Sequence, residues 1–563
     1  MKNIALIGGG PAALFMFKGL VQSPLKNIEV SIFEQHEKLG AGMPYSKYGS
    51  STEHITNVSD NEIPGLKAPI KDWLSHAPTE MLSDYSISEK EFNEDKVLPR
   101  LLFGEYLSAQ FDLFLAEARK NELPTNVFYN TRVRDIEDVQ TKKKVKVSVE
   151  SGETFNFDEV IICTGHSWPC KAEGSITNWF DSPYPPQKLF KIANFPIAIK
   201  GASLTAIDAV RTLSRANGCF TKNSDDTYGF KLNPESAGFH ITLHAIDGLL
   251  PAMRFHLEDN HLEPAHVLSH EEIYEIKQKN NGFVPLDLIY ELNFKQVIQR
   301  KNPELFAEIK EMRIEDFISF MMEKRKKIDA FTLLEDEYKE AEKSIERHES
   351  VIWKEALSTL SYAINYPAKH FSAEDMIRLK EKVMPLISII IAYMPQSSAR
   401  ELMALHEAGL IEVKDVDSSS SVVPGKSEGA IYKYSQGEEK YFSMFIDAVG
   451  QRPFFYNQIP FEGLKKKETI SAAYLRFASN LRGEKEMESD TNVVLKEESG
   501  GYLLQLPGIN INDFFQPLDV YGVANPRLFI MAVPFIAGVN PDYSGLDFCE
   551  AASEKIIQKM MEK

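Results

Sequence analysis

The amino terminus alternates between short apolar runs and glycine-rich breaks. Residues 3–7 are mostly apolar, three glycines and a proline follow, and an apolar stretch at 14–20 precedes a second short run at 29–34. Short apolar runs bounded by glycine are typical of buried strands, whereas the longer stretch suits a helix. The pattern therefore predicts a strand, a tight turn, a helix and a second strand.

A hairpin and a third strand complete this first set of elements. Residues 144–150 alternate like a half-buried strand before a turn at 151–152, and residues 159–165 form an apolar strand that ends in Thr-Gly. Before them, residues 40–45 and 54–58 are too rich in Gly, Pro and Asn for a regular strand. A mostly helical stretch follows that region.

The same order of elements then recurs. Residues 195–208 form a strand, a glycine turn and a helix start, and a partner strand follows at 240–246. Far downstream, residues 429–434 and 440–446 flank a turn and lead into a strand that ends at Gly450. We interpret this recurrence as one module used twice, which predicts an α/β fold with two Rossmann-like halves.

Residues 255–395 interrupt the second half and show a helical pattern with charged faces, such as 335–346. Ser372 and Asp375 have the spacing of a capping box, although Asp fits less well than Glu. The longest apolar run, 383–394, is too short to span a membrane and suits a buried helix with Pro385 near its start. This large helical insertion either carries substrate specificity or serves as a cover or partner surface.

Composition narrows the classes of partner and compartment. The 563 residues suffice for several domains, and 81 acidic against 63 basic residues give a net charge of −18. Such a balance argues against nucleic acid or an anionic membrane as a partner. The four cysteines lack Cys-x-x-Cys spacing, which indicates a reducing, cytoplasmic setting and argues against a thiol-disulfide reductase.

The opening stretch has two interpretations, a secretion signal or a nucleotide-binding turn. A signal peptide needs an unbroken apolar core, which the three glycines interrupt. Gly8-x-Gly10-x-x-Ala13 instead fits the dinucleotide fingerprint, in which the first glycine permits a tight turn and the second lets the backbone approach a pyrophosphate. Glu34 closes the second strand, where a carboxylate would bind a ribose. The alternative is a structural turn.

These residues in this order resemble the two-dinucleotide-binding-domain flavoproteins, specifically bacterial FAD/NAD(P)-binding proteins similar to flavin-dependent N-monooxygenases. The resemblance covers most of the chain apart from the insertion. Besides the amino-terminal motif, it depends on the following segments: 40–45, 57–58, 99–106, 163–166, 201–208, 447–450 and the strand, loop and helix around Gly538.

The resemblance implies FAD as cofactor, with its pyrophosphate over the first turn and its ribose on Glu34. It places the flavin ring against residues 43–45 and the Asn57 region, and the amino terminus of the last helix, near 538–540, at the pyrimidine end. The alternative is that these loops only pack against the rest of the protein and do not contact a cofactor. The implied cofactor-binding residues are Gly8, Gly10, Pro11, Ala12, Ala13, Glu34, Met43, Pro44, Tyr45, Asn57, Val58, Gly165, Gly201, Ser203, Gly538, Val539 and Asn540.

The second module departs from the family pattern in two places. Ser203 stands where the family usually has the second glycine, which adds a side chain where a pyrophosphate should touch the backbone. After the second strand, Asp247 stands where an arginine that could meet a 2′-phosphate is usual. An acid at that position rejects a phosphate, so NADH is favoured over NADPH as the NAD(P)H reductant. Otherwise the second module is vestigial.

The resemblance implies an FAD-dependent oxidoreductase that is reduced by a nicotinamide and passes electrons to oxygen or a small-molecule substrate, with a monooxygenase as one form. Catalytic residues are not identified; His54, Arg100 and His166 are weak candidates, each with a structural role as alternative, and no metal site is expected. The rival is a non-catalytic FAD-binding redox sensor or scaffold that docks a partner through the insertion.

The predicted organisation divides the chain as follows. An FAD-binding domain spans 1–190 and is completed by 451–563. An NAD(P)-binding-like domain spans 191–254 and is completed by 396–450, with the helical insertion at 255–395. A homo-oligomer is allowed by this reading and not required.

Overall fold

A computed structural model describes residues 1–85, 87, 92, 96–168, 170–258, 267–489, 492–541 and 545–562. Residues 1–190 contain the strands β1 (Lys2–Ile7), β2 (Ile28–Phe33), β3 (Ile55–Ser59), β4 (Val97–Pro99), β5 (Thr125–Phe128), β6 (Val133–Val139), β7 (Lys144–Val149), β8 (Thr154–Phe157), β9 (Glu159–Ile162) and β10 (Trp179–Phe180). The same residues contain the helices α1 (Pro11–Gln22), α2 (Ile70–His76), α3 (Thr79–Asp84) and α4 (Arg100–Lys120).

Residues 191–254 contribute β11 (Pro196–Lys200), α5 (Leu204–Asn217), β12 (Gly218–Lys222), β13 (Tyr228–Leu232) and β14 (His240–Ile246). The described residues between 255 and 395 contain the helices α6 (His270–Lys279), α7 (Leu286–Tyr290), α8 (Gln296–Lys301), α9 (Pro303–Ile309), α10 (Ile314–Lys326), α11 (Ala330–Arg347), α12 (Ile352–Asn365), α13 (Ala373–Arg378) and α14 (Met384–Ile390).

Residues 396–450 contain α15 (Gln396–Glu407), β15 (Ile411–Val416), β16 (Ser421–Pro424), β17 (Ala430–Lys433), β18 (Glu439–Phe442) and β19 (Met444–Asp447). The remainder contains α16 (Glu462–Lys466), β20 (Ala472–Arg476), α17 (Asn480–Glu488), β21 (Val494–Lys496), β22 (Tyr502–Ile509), β23 (Leu528–Ile530), α18 (Val533–Ile536) and α19 (Leu546–Met561).

Two parallel five-stranded sheets organise the chain and confirm the predicted α/β class. The first has the order β23-β9-β1-β2-β5, and the second has the order β10-β19-β11-β14-β15. The central strands are buried, as expected for parallel strands with both faces covered. In each sheet an antiparallel three-stranded ribbon comes directly before a strand that pairs with the central strand: β6-β7-β8 precedes β9, which pairs with β1, and β16-β17-β18 precedes β19, which pairs with β11.

The first glycine of each turn has the same geometry in the two modules. Gly8 and Gly201 both have φ of +104°, which favours glycine strongly over residues with a Cβ. A Cβ on Gly8 would lie 2.8 Å from the Cys163 carbonyl oxygen, and one on Gly201 would lie 2.9 Å from that of Ala448. Both residues also donate to the second strand of their own sheet, at 2.9 Å in each case. The structure therefore supports one module used twice.

Residues 55–58 lie in a strand, although an irregular one, where the sequence argues against a regular strand. Ile55–Ser59 is strand β3, which pairs antiparallel with β4 through an irregular register. The Thr56 hydroxyl accepts a hydrogen bond from the Leu98 N–H at 3.2 Å, so a side chain fills the gap in the ladder. Half of the expected capping box is present, since the Ser372 hydroxyl accepts from the Asp375 N–H at the start of α13, while the Asp375 carboxylate accepts from the Leu286 N–H instead.

The helical insertion does not form a core of its own. Apolar side chains from α7 to α14 belong to the same buried cluster as the first sheet and α19. Helix α11 differs, because Phe331, Leu334 and Ala341 pack into the core of the second sheet. Across the described ranges, no helix is both long and apolar enough to cross a bilayer.

Candidate functional site

A cavity of about 990 Å³ lies at the carboxyl ends of β1, β2 and β9. Open α/β sheets bind ligands at this edge, and the volume is at the upper end of the range for small-molecule pockets. Its walls come from the β1–α1 turn, the residues after β2, the residues after β9 and, unexpectedly, the helical insertion. The cavity is the candidate site.

The β1–α1 turn offers backbone donors to the cavity. Gly8, Gly9, Gly10, Pro11 and Ala12 all line it. Helix α1 has Pro11 in its first turn and no side-chain cap on its first N–H groups. A Cβ on Gly10 would lie 3.2 Å from the Gly42 Cα, which is a tight contact, so glycine lets the turn approach its neighbour closely without a shift of the backbone. An uncapped helix amino terminus of this kind suits a phosphate group.

Glu34 lines the cavity and is only 6% exposed. Its two carboxylate oxygens accept hydrogen bonds from the Gly9 N–H at 2.7 Å and the His36 N–H at 2.9 Å. A carboxylate has about four acceptor sites, so about two remain for a ligand. That arrangement suits the paired hydroxyls of a ribose beside the phosphate-binding turn.

Another part of the cavity lining is mostly apolar. Met43, Pro44 and Tyr45 lie on one side, and burial raises the pKa of Tyr45 to about 12. Phenylalanine and other apolar side chains at 454, 461, 531, 533 and 535 line it as well. His166 lines this part too, and its Nδ1 lies 2.7 Å from the Gln451 Oε1. Such a surface can hold a planar aromatic ring away from water.

The amino terminus of α19 also points to the cavity. Gly545, the residue before the helix, and Leu546 to Cys549 line it. Asp547 lies in the first turn and contributes to the raised pKa of Tyr362, about 12, after the larger effect of burial. The Asp547 carboxylate therefore lies close enough to affect the phenols of Tyr45 and Tyr362 on the cavity wall.

The insertion supplies six of the lining residues. Ser358, Ser361, Tyr362 and Asn365 come from α12, and Ile391 and Tyr393 follow α14. Sequence reasoning missed these residues. The spacing of the four polar side chains at i, i+3, i+4 and i+7 was present in the sequence, but it is equally typical of a solvent-exposed helix face.

The structure brings most of the predicted first-module residues together. The cavity is lined by Gly8, Gly10, Pro11, Ala12, Glu34, Met43, Pro44, Tyr45, Asn57, Val58, Gly165 and His166. Ala13 is buried behind the turn and does not line it.

Gly538, Val539 and Asn540 are also outside the lining. A Cβ on Gly538 would lie 1.7 Å from the Pro507 carbonyl oxygen, so this loop packs against β22 instead. The helix that faces the cavity begins at Leu546, several residues later. The loop segment 542–544 that sequence analysis included between them lies outside the described residues.

His54 and Arg100 lie outside the cavity lining and join the two modules instead. The Arg100 guanidinium pairs with the Asp208 carboxylate on α5, and the Tyr184 hydroxyl donates to the same carboxylate at 3.0 Å. His54 Nε2 lies 3.0 Å from the Thr212 hydroxyl, and burial lowers the pKa of His54. These contacts are the ion-pair and structural roles given above as alternatives.

The second module lacks the carboxylate that the first one has. The Gly8 N–H donates to the carbonyl of Phe33, and the Gly201 N–H donates to the carbonyl of His244. The next residue along the chain is Glu34 in the first module and Ala245, which is buried, in the second. Ser203 is exposed and precedes α5 without a side-chain cap. Gly201 and Ser203 therefore occupy positions equivalent to Gly8 and Gly10 in a different sheet.

The structure corrects the argument built on Asp247. This residue lies two positions beyond the match to Glu34, and its carboxylate pairs with the Lys326 ammonium at 2.5 Å. The paired acid does not present a free negative charge to a phosphate. Lys326 comes from α10 of the insertion, so no local sequence pattern around Asp247 could have revealed it.

Within the described ranges, no group of three or more His, Cys, Asp or Glu side chains is placed to hold a metal ion. The cavity does fit an extended dinucleotide such as FAD. It joins an uncapped helix amino terminus, a carboxylate with spare acceptor sites and a set of apolar side chains in one continuous space.

Comparison with known proteins agrees with this geometry. Residues 5–167 match the family model of an FAD-NAD(P)-binding domain, and residues 269–391 match that of a YdhS-like middle domain. The chain is 27% identical over 470 residues to the uncharacterized protein YdhS of Escherichia coli (strain K12), covering 83% of this chain and 86% of the relative.

Two solved structures were also compared. The cadaverine monooxygenase DfoA of Erwinia amylovora aligns with a TM-score of 0.44 and 11% identity, over 100% of this chain and 95% of the other. The ornithine N-hydroxylase of Kutzneria sp. 744 aligns with a TM-score of 0.43 and 12% identity, over 100% and 99%. At these scores, the fold assignment depends on the sheet order and the family model.

Proposed function

We propose, from the FAD-NAD(P)-binding domain at residues 5–167, that this protein is an FAD-dependent oxidoreductase. It would be reduced by a nicotinamide and would pass electrons to oxygen or to a small-molecule substrate. FAD, when bound, supplies the two-electron redox chemistry, and the protein supplies binding, orientation and electrostatics.

The observation that carries this proposal is the pairing of the first glycine turn with Glu34 across one cavity. The backbone N–H groups at the start of α1 would hold the two phosphates, and the Glu34 carboxylate would hold the adenosine ribose. Residues 131–134 line the cavity beyond Glu34, where an adenine would lie. The Met43 to Tyr45 loop would then contact the flavin ring.

The apolar side chains that line the cavity support an oxidoreductase in which the reacting ring is kept from water. Phe454, Phe461 and Phe535 are among them, and the rings of Phe454 and Phe535 are in contact in a tilted arrangement, with centroids 5.9 Å apart. Exclusion of water is a requirement for a monooxygenase. We therefore retain a monooxygenase as the more specific form of the proposal.

NADH is the proposed reductant in preference to NADPH. Ser203 replaces the second glycine of the turn, and residues 244–250 contain no arginine that could meet a 2′-phosphate. Asp247 no longer supports the preference, because Lys326 neutralises it. The preference depends on the missing arginine and on Ser203.

The test is the visible spectrum of the purified protein, followed by anaerobic titration with NADH and NADPH. We expect oxidised-flavin bands, and bleaching that is faster with NADH. A protein that stays colourless after incubation with excess FAD contradicts the cofactor assignment, and faster bleaching by NADPH contradicts the preference.

The competing function is a non-catalytic FAD-binding redox sensor or scaffold that docks a partner through the insertion. Bound FAD that neither nicotinamide reduces, together with a co-purifying protein, would favour it. Faster NADH oxidation on addition of a candidate substrate would favour the enzyme. The insertion residues on the cavity wall favour the enzyme, since a docking module does not need them there.

A further inference from the structure

Helix α12 has a polar stripe that faces the interior of the protein. Its apolar side chains at 356, 357, 360, 363 and 364 are buried in the main core. Ser358, Ser361, Tyr362 and Asn365 lie on one face of the helix and line the cavity. The Asn365 amide donates to the Ser361 carbonyl oxygen at 3.2 Å, so part of the stripe is satisfied within the protein. Hydroxyl and amide groups have more than one donor or acceptor site, so on a cavity wall they can also hydrogen-bond a polar ligand.

Tyr393 supplies a second and independent observation. It lines the same cavity, is 6% exposed, and its hydroxyl has no hydrogen-bond partner among the described residues. The Ser358 hydroxyl is its polar neighbour but does not meet hydrogen-bond geometry. Burial raises the pKa of the Tyr393 phenol, so it is a proton donor at neutral pH. A ligand acceptor would satisfy it.

The backbone conformation at Tyr393 is strained and costs conformational free energy. Its φ of +51° lies in the left-handed region, which a bulky residue adopts rarely and which is frequent at functional sites. A bridge joins Met394 to Met253, and the Asn57 amide donates to the Ala392 carbonyl at 3.3 Å. The Arg254 guanidinium lies over the tyrosine ring, 5.8 Å from its centroid. The strained tyrosine is therefore fixed by contacts from both sides.

We propose that Ser358, Ser361, Tyr362, Asn365 and Tyr393 form the substrate-recognition wall of the cavity. The substrate it would take is a small uncharged polar molecule with a hydrogen-bond acceptor, such as a carboxamide. This inference rests on the proposed function, because it assigns the substrate side of the same flavin site. It also assigns a role to the helical insertion, for which the sequence left two alternatives open.

The surrounding charges select an uncharged ligand. No charged side chain of α12 lines the cavity. The Arg254 cation already binds Glu62, the Ser59 hydroxyl and the Asn57 carbonyl, so it does not offer a free charge to an anion. Asp547 lines the cavity and would repel an anion, and it already has an interaction within the protein. The benzylammonium probe below tests whether this carboxylate binds a cation.

The experiment is isothermal titration of the FAD-loaded protein with three probes of nearly the same shape: benzamide, benzoate and benzylammonium. We expect benzamide to bind most tightly. In Tyr393→Phe, benzamide should bind about tenfold more weakly, since one hydrogen bond to a buried donor is lost. FAD content should stay the same, and the melting temperature should not fall, because the variant removes an unpaired buried hydroxyl.

The matched control is Tyr290→Phe. Tyr290 is also a buried tyrosine of the insertion whose hydroxyl has no partner among the described residues, but it does not line the cavity. We expect its benzamide affinity to equal that of the wild type.

Each contrary outcome has a distinct meaning. Equal benzamide affinity in Tyr393→Phe and wild type overturns the recognition wall, and tighter binding of benzoate or benzylammonium overturns the uncharged class. Loss of FAD in Tyr393→Phe overturns the assignment to substrate, since the hydroxyl would then serve the cofactor. A wild-type protein that binds no FAD refutes the proposed function instead, and calorimetry of the probes still reports on the wall.

Discussion

Replacing Glu34 with glutamine tests the carboxylate on which the cofactor assignment depends. Glutamine has the same shape but replaces one acceptor oxygen with an amino group. The wild-type carboxylate binds two backbone N–H groups and keeps about two acceptor sites for a ribose. The amide of Glu34→Gln retains one oxygen, with two acceptor sites for the same set of donors.

The expected loss follows from that count. The variant cannot satisfy both backbone donors and both ribose hydroxyls, so at least one hydrogen bond to a charged acceptor is lost in the bound state. Such a bond contributes about 1.5–3 kcal/mol. A loss of about 2 kcal/mol corresponds to FAD binding that is about 30-fold weaker.

The assay is titration of the apoprotein with FAD, followed by flavin fluorescence. Glu37→Gln is the matched control, because Glu37 lies three residues further on, is exposed, and does not line the cavity. Its FAD affinity should equal that of the wild type. An affinity of Glu34→Gln within threefold of the wild type would show that the carboxylate does not bind the ribose.

Three further predictions concern the rest of the molecule. Asp208→Asn should destabilise the protein by about 3 kcal/mol in urea unfolding, because Arg100 would keep a buried charge without its partner. The double variant Asp208→Asn with Arg100→Met should lose less free energy of unfolding than the two single variants lose in sum, and strict additivity would contradict the coupling. Burial lowers the pKa of His244 from 6.5 to about 4, so the unfolded chain binds the extra proton and stability falls as pH drops from about 6.5 to about 4. His244→Phe should flatten that part of the melting-temperature profile, and an unchanged profile would refute this. Ellman's reagent should label Cys170 and Cys219 quickly in the native protein, since the other two thiols are buried with raised pKa values. Rapid labelling of more than two thiols would contradict that burial.

The parts of the site that sequence reasoning found are the local ones. The first turn could be predicted because its strand, glycines, proline and helix are contiguous, and each residue has a conformational reason for its place. Glu34 followed from the length of the helix and second strand. The second set of strands was predictable for the same reason.

The parts that were missed depend on contacts between distant segments. The cavity-facing stripe of α12 could not be told from a solvent-exposed face until the helix was placed against the first sheet. The ion pair of Asp247 involves Lys326 from the helical insertion, which is distant in sequence. The match of Glu34 to Ala245 can be seen only from the register of the strands. Residues 538–540 do not line the cavity as predicted, because the loop before α19 packs on β22 at Gly538 and, among the described residues that follow it, the chain lines the cavity from Gly545 onward.

The common apolar core of the first sheet and the insertion has a consequence for cooperativity. Residues such as Leu286 and Leu386 pack in the same buried cluster as Ile4, although the insertion is separate in sequence. Excising 269–391 would uncover the interior of both pieces, so neither is an autonomous folding unit. Native-state hydrogen exchange should therefore show β1 and α12 opening together, with protection that rises in both when FAD is added.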